Sequence, residues 1–153
     1  MGIPRGSCGL IMSTNHYWDE HMQLTVSSDI ALRTLIYLGH KNAPATITEV
    51  SEACQISKSS LMKAVMTLVG ANLVVSERGR NGGISLAQDA KDISVGSVIR
   101  LMENSLALVE CMKDEPSSCP LLPRCRLKRV LHEAQAAFFT TLDSCSVADL
   151  LKK

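Results

Sequence analysis

Three cysteines, Cys111, Cys119 and Cys125, fall within fifteen residues of a 153-residue chain at the spacing Cys-x7-Cys-x5-Cys. Thiols at that density bind metal or exchange into disulfides, yet three suits neither use alone: disulfides consume pairs, and a closed zinc site wants four ligands. The spacing also lacks the Cys-x-x-Cys pair of a zinc ribbon, so zinc is possible and unpersuasive. Iron-sulfur ligation fits better, because thiolates are its preferred ligands and a loop can wrap a cluster; a fourth ligand must then come from elsewhere. A redox pair with one spare thiol stays open. His132, seven residues past Cys125, is either a further ligand or an ordinary exposed histidine. Cys54 falls where a tight turn wants a small packed residue, while Cys8 and Cys145 have no partner spacing and no assigned role. No Ser-His-Asp set, paired catalytic carboxylates or nucleotide loop occurs, so an enzyme is not expected.

The rest of the chain must position these thiols. With 46% hydrophobic and 20% charged residues it can bury one core, and with only two Phe, two Tyr and one Trp that core is Leu, Ile, Val, Met and Ala. This diet favours helices, and the predicted fold is mainly α. A net charge of +1 excludes a wholly polybasic binder, though not a local basic patch. No run reaches the roughly 18 apolar residues of a membrane helix, and Cys8 to Met12 is too short for a signal-peptide core. A cytoplasmic location is expected, where a reducing medium turns clustered thiols toward metal or redox roles.

Residues 1–21 show no period and read as a leader, disordered or artificially appended, ahead of a start at Met22. Leu32, Leu35 and Ile36 predict a helix over residues 28–38, with Ser27, Ser28 or Asp29 as cap and Gly39 as stop. Thr46-Ile-Thr-Glu49 has capping-box spacing and opens a short helix to Ala53; Ser57 caps another to Ala71. Val50, Ala53, Ile56, Leu61, Val65, Leu68 and Val69 are the expected inward residues of this helix-turn-helix. Strands at 73–76 and 84–86 flank a basic, Gly-rich turn, in which Gly79, Gly82 and Gly83 are expected to supply positive φ. The order is that of a winged helix-turn-helix, over residues 22–91.

In such a module Ser57, Lys58, Ser59, Ser60 and Lys63 meet phosphates and base edges, and Arg78, Arg80 and Asn81 of the wing reach the backbone or minor groove. Residues 92–153 then hold a helix capped by Ser94, the cysteine loop, a long helix and a short one from Ser146 to Leu151. The long helix carries the stripe Leu127, Val130, Leu131, Ala134, Ala137, Phe138, Thr141 and Leu142. A second copy of the same helix is the economical cover, which predicts a homodimer.

Met22-Gln-Leu-Thr-x-x-x-Asp29-x-Ala-Leu-Arg33, Arg78-Gly-Arg-Asn-Gly-Gly-Ile-Ser-Leu86, Asp92-Ile-Ser-Val-Gly-Ser-Val-Ile99, the three cysteines and Ala148-Asp-Leu150 together resemble the Rrf2 family of bacterial transcription regulators. The resemblance runs from about Met22 to the C-terminus. Leu106-Ala-Leu-Val-Glu-Cys111 and Pro123-Arg-Cys-Arg-Leu-Lys128 look most like its nitric-oxide-sensing branch. The resemblance implies a homodimeric repressor of a double-stranded DNA operator, with an iron-sulfur cluster, 4Fe-4S favoured over 2Fe-2S, that is nitrosylated by nitric oxide. It also implies Cys111, Cys119 and Cys125 as ligands, with Asp29 of the partner subunit as the fourth; by its position alone Asp29 is a helix cap or first-turn acid. An iron-responsive branch shares the cysteines without this aspartate, and a cluster-biogenesis branch uses a histidine just after the third cysteine, where Arg126, Leu127 and Lys128 stand here. Ser57-Lys-Ser-Ser-Leu-Met62 departs from the Ser-Arg-Asn-His-type start of that nitric-oxide branch, which leaves the operator sequence open.

Overall fold

The computed structural model describes residues 23–79, 82–113 and 117–152; the leader, Met22, Cys8, Arg80 and Asn81 lie outside them. Helix α1 (Val26–Lys41) places Ala31, Leu35 and Leu38 on one fully covered face. Its cap is Thr25 rather than Ser27, Ser28 or Asp29: the Thr25 hydroxyl accepts the Ser28 N–H at 3.3 Å. Ser28 is completely buried and spends its own hydroxyl elsewhere. Gly39 does not stop the helix, which ends at Asn42 in the left-handed conformation (φ 50°). A Cβ on Gly39 would lie 2.8 Å from Leu151 Cδ1, so this glycine makes room for the C-terminal segment.

Helices α2 (Ile47–Cys54) and α3 (Lys58–Gly70) form the helix-turn-helix. The turn is stitched internally: Ser51 donates its hydroxyl to the Ile56 carbonyl at 2.6 Å, and Gln55 sits at φ 54°. Only half of the expected capping box forms. Thr46 accepts the Glu49 N–H at 3.1 Å, but the Glu49 carboxylate turns to the Tyr37 hydroxyl (2.7 Å) and to Lys41, binding α2 to α1. These two donors hold the Glu49 carboxyl below its ordinary range. Val50, Ile56, Leu61, Val65 and Leu68 are buried as expected, whereas Ala53 and Val69 are exposed and Ala64 takes an inward place. Cys54 is half-buried against the same core.

The wing is an antiparallel pair, β1 (Val74–Glu77) and β2 (Gly83–Leu86), with Val74 opposite Leu86 and Glu77 opposite Gly83. Ala45 exchanges two backbone hydrogen bonds with Ile84, so the wing is rooted beside α2. Gly79 has the expected positive φ, at 121°. Gly83 is required for another reason: a Cβ there would lie 2.6 Å from the Ala45 carbonyl oxygen, and one on Gly82 2.4 Å from that of Glu77.

Helix α4 (Val95–Met102), capped by Ser94, contributes Val98 and Met102 to the same core as the helix-turn-helix. The long helix α5 (Arg126–Asp143) buries only Phe139, not Phe138 of the expected stripe; Phe139 packs on Val95 and Ile99. Leu127, Val130 and Phe138 stay 61%, 52% and 42% exposed, an apolar row left uncovered among the described residues. Helix α6 (Val147–Leu150) closes a true capping box between Ser146 and Asp149, and the Val147 N–H donates to the Ile93 carbonyl at 2.8 Å.

Candidate metal centre and nucleic-acid interface

The outward start of α3 is a polar cluster. Ser57 accepts the Ser60 N–H at 3.2 Å, donates to the Ser60 hydroxyl at 2.8 Å, and lies 3.2 Å from the Ser59 hydroxyl. Lys58, Ser59 and Lys63 are exposed; Ser60 is half-buried, because it is drawn into this cap. A helix N-terminus with clustered hydroxyls and two exposed ammonium groups is suited to phosphate. Arg78 is exposed at the wing, and Ala45, Gly83 and the β pair fix the wing relative to α3.

The three candidate cysteine ligands follow later in the chain, between α4 and α5. Cys111 sits in a one-turn helix at Glu110–Met112; the Cys119 N–H donates to Ser117 (3.2 Å); Cys125 precedes α5 without capping it by its side chain. All three thiols are unpaired and half-buried. Around Cys125 an open groove is lined by Leu122, Arg124, Arg126 and Arg129, and the first turn of α5 holds no acid. Cations there oppose the helix dipole, and they suit an anionic group at the site. Asp29 is half-exposed in the first turn of α1 and is held by Arg33 through Nε–Oδ1 (3.0 Å) and Nη2–Oδ2 (2.7 Å). Such an exposed i,i+4 pair contributes about 0.3–0.5 kcal/mol, little enough to yield to a stronger ligand. Among the described residues no three Cys, His, Asp or Glu side chains converge as a metal site. The donor chemistry fits a cluster: free thiols on irregular backbone, cationic surroundings and an available carboxylate. His132 lies on the groove between α4 and α5 rather than with the cysteines.

Two residues escaped the sequence reading. Glu103, which closes α4 and opens the segment carrying the cysteines, accepts the Thr25 N–H at 2.8 Å and the Ser28 hydroxyl at 2.5 Å. Burial works to raise its carboxyl, and the donors from Ser28 and Thr25 overcome this and hold it below the ordinary range. An acid at a helix C-terminus runs against the dipole, which was the one available signal. Arg100 forms a two-pronged pair with Asp143 (2.6 and 2.7 Å) and lies 4.1 Å over the Phe139 ring, clamping α5 to α4.

Comparison with known proteins identifies the family. A family model described as Rrf2, iron-dependent transcriptional regulator, matches residues 24–153. The chain is 43% identical over 133 residues to the HTH-type transcriptional regulator NsrR of Oceanobacillus iheyensis, covering 86% of this chain and 90% of that one. It is 38% identical over 133 residues to NsrR of Bacillus subtilis, covering 86% and 91%. Among solved structures it resembles CymR, the global cysteine regulator of B. subtilis, with TM-score 0.69, 26% identity and 85% and 96% coverage. It also resembles T. potens IscR, with TM-score 0.66, 25% identity and 86% and 87% coverage.

Proposed function

This chain belongs to the Rrf2 family of transcriptional regulators, which are not enzymes, and from that membership we propose that it is a homodimeric, iron-sulfur-dependent repressor that senses nitric oxide. Cys111, Cys119 and Cys125 of one subunit and Asp29 of the partner subunit hold the cluster, 4Fe-4S in preference to 2Fe-2S. When bound, that group supplies iron with affinity for nitric oxide, least shielded where its ligand is an oxygen rather than a thiolate. The apolar row Leu127, Val130 and Phe138 is the dimer seam.

The observation that carries the reading is the tie from Glu103 to Thr25 and Ser28. It fastens the root of the cysteine segment to the turn of α1 that bears Asp29, and α1 packs directly on α3. Loss of the cluster removes the second anchor on that turn, the one shared between subunits, and lets the two recognition helices leave the spacing of half-sites about one helical turn apart. Tenfold derepression needs only about 1.4 kcal/mol of coupling. Ser57, Lys58, Ser59, Ser60, Lys63, Arg78, Arg80 and Asn81 form the operator-binding surface.

Anaerobic purification with visible absorption, iron and sulfide analysis, followed by nitric oxide titration against DNA binding, tests this directly. A colourless protein with stoichiometric zinc refutes it. The family description as iron-dependent favours a second reading, in which the cluster reports iron supply; a cluster indifferent to nitric oxide and lost on iron starvation would establish that. Free, half-buried thiols also suit a metal-free disulfide switch, which thiol counting on the anaerobic protein separates.

A further inference from the structure

Helix α3 turns Leu61, Ala64, Val65 and Leu68 to the core. On its opposite side stand Met62 and Met66, 53% and 72% exposed. A single exposed methionine is ordinary, since apolar atoms make up much of any protein surface. Two at i and i+4 are neighbours, about 5–6 Å apart at Cβ, and form a continuous apolar strip. Their setting singles them out. They lie on the second helix of the helix-turn-helix, beside Lys63 and one turn beyond Lys58, where two cations favour a polyanion over an apolar protein partner.

The composition of α3 sharpens the reading. Its sequence, KSSLMKAVMTLVG, contains no Arg, Asn, Gln, Asp or Glu. The side chains that make bidentate or accepting hydrogen bonds to guanine, adenine and cytosine edges are therefore absent, apart from the lysines. What the helix offers the major groove is hydroxyl, ammonium and thioether. The 5-methyl group of thymine is the one apolar feature on the base edges there, and methionine's unbranched, polarizable chain adapts to it.

We propose that Met62 and Met66 are specificity-determining residues that read thymine methyl groups in each operator half-site. The proposal rests on the DNA-binding reading above, and its test separates the two. Binding sites are first enriched from random duplex DNA with the full-length, anaerobically purified protein. Each thymine of the enriched site is then replaced by uracil, which keeps base pairing and deletes only the methyl group. At one or more thymines per half-site, affinity falls about fourfold per methyl, the effect of burying one such group. In M62A or M66A the same replacement causes no further loss, while circular dichroism remains that of the parent. Enrichment of a specific site whose thymines all tolerate uracil overturns the proposal and leaves the DNA-binding reading intact. Undiminished methyl discrimination in both variants also overturns it. Failure to enrich any DNA overturns both readings.

Discussion

The carboxylate of Glu103 accepts the hydroxyl of Ser28 at 2.5 Å, across 75 residues of sequence, and Ser28 is completely buried. One carboxylate thereby stitches the end of α4 to the start of α1. Glu103→Ala leaves a buried hydroxyl without its partner and should destabilise the fold by about 1–3 kcal/mol in denaturant unfolding. Glu103→Gln keeps an acceptor and should cost less. The folded-state pKa of Glu103 is depressed, so its contribution is present above the unfolded value near 4.3 and is lost as pH falls through the folded value. The stability gap between wild type and Glu103→Gln should therefore be flat above about pH 5 and close on further acidification.

Among the described residues Asp29 pairs with Arg33, and that pair is exposed. Asp29→Ala should cost no more than about 0.5 kcal/mol of stability. If Asp29 is a ligand, the same change alters the visible spectrum of the reconstituted protein and accelerates its bleaching. An unchanged spectrum and bleaching rate would reduce Asp29 to a first-turn acid.

Gly96 lets α5 lie close against α4: a Cβ there would lie 2.0 Å from Asp143 Oδ1. Asp143 cannot retreat without leaving Arg100, whose guanidinium keeps the Asp143 carboxyl below its ordinary range. Gly96→Ala should destabilise by about 1–3 kcal/mol, the usual effect of overpacking. Thermal unfolding of Gly96→Ala beside Arg100→Ala checks whether the clamp is the element displaced.

The exposed row on α5 contributes little inside one chain, so Leu127→Glu or Phe138→Glu should leave the unfolding of the isolated subunit nearly unchanged. Both should shift the protein from dimer to monomer in sedimentation equilibrium, and operator affinity should fall with them. A dimer that survives both substitutions places the seam elsewhere.

Lys58 and Lys63 are exposed on α3 and would each occur twice on a bound operator. Lys58→Ala and Lys63→Ala should each lower the slope of log affinity against log salt by about 2, one unit for each phosphate no longer neutralised. A slope that does not move assigns that lysine to solvent or to a base edge instead.

Local signals accounted for much of the molecule. Ser57 and Ser94 cap the helices they precede, because capping is a matter of a few adjacent backbone groups. Basic turn, flanking strands and apolar periodicity identified the wing and the helix-turn-helix for the same reason. The three thiols were also legible as candidate ligands, since ligand type belongs to the residue itself. Where the chain folds back on itself, sequence spacing lost its force. Gly39 and Gly83 looked like a helix stop and a flexible turn, yet each is small because Leu151 or Ala45 occupies the space beside it. Phe139 rather than Phe138 faces the core because Arg100 and α4 select that side of α5. Glu103 reaches Ser28 only through the tertiary fold, and no periodicity records a pairing of that separation. The amino-acid sequence by itself determined which chemistries this protein carries, because those reside in single side chains and short caps. Only the tertiary structure decided which of those groups are tied together, because that depends on surfaces that meet across the whole chain.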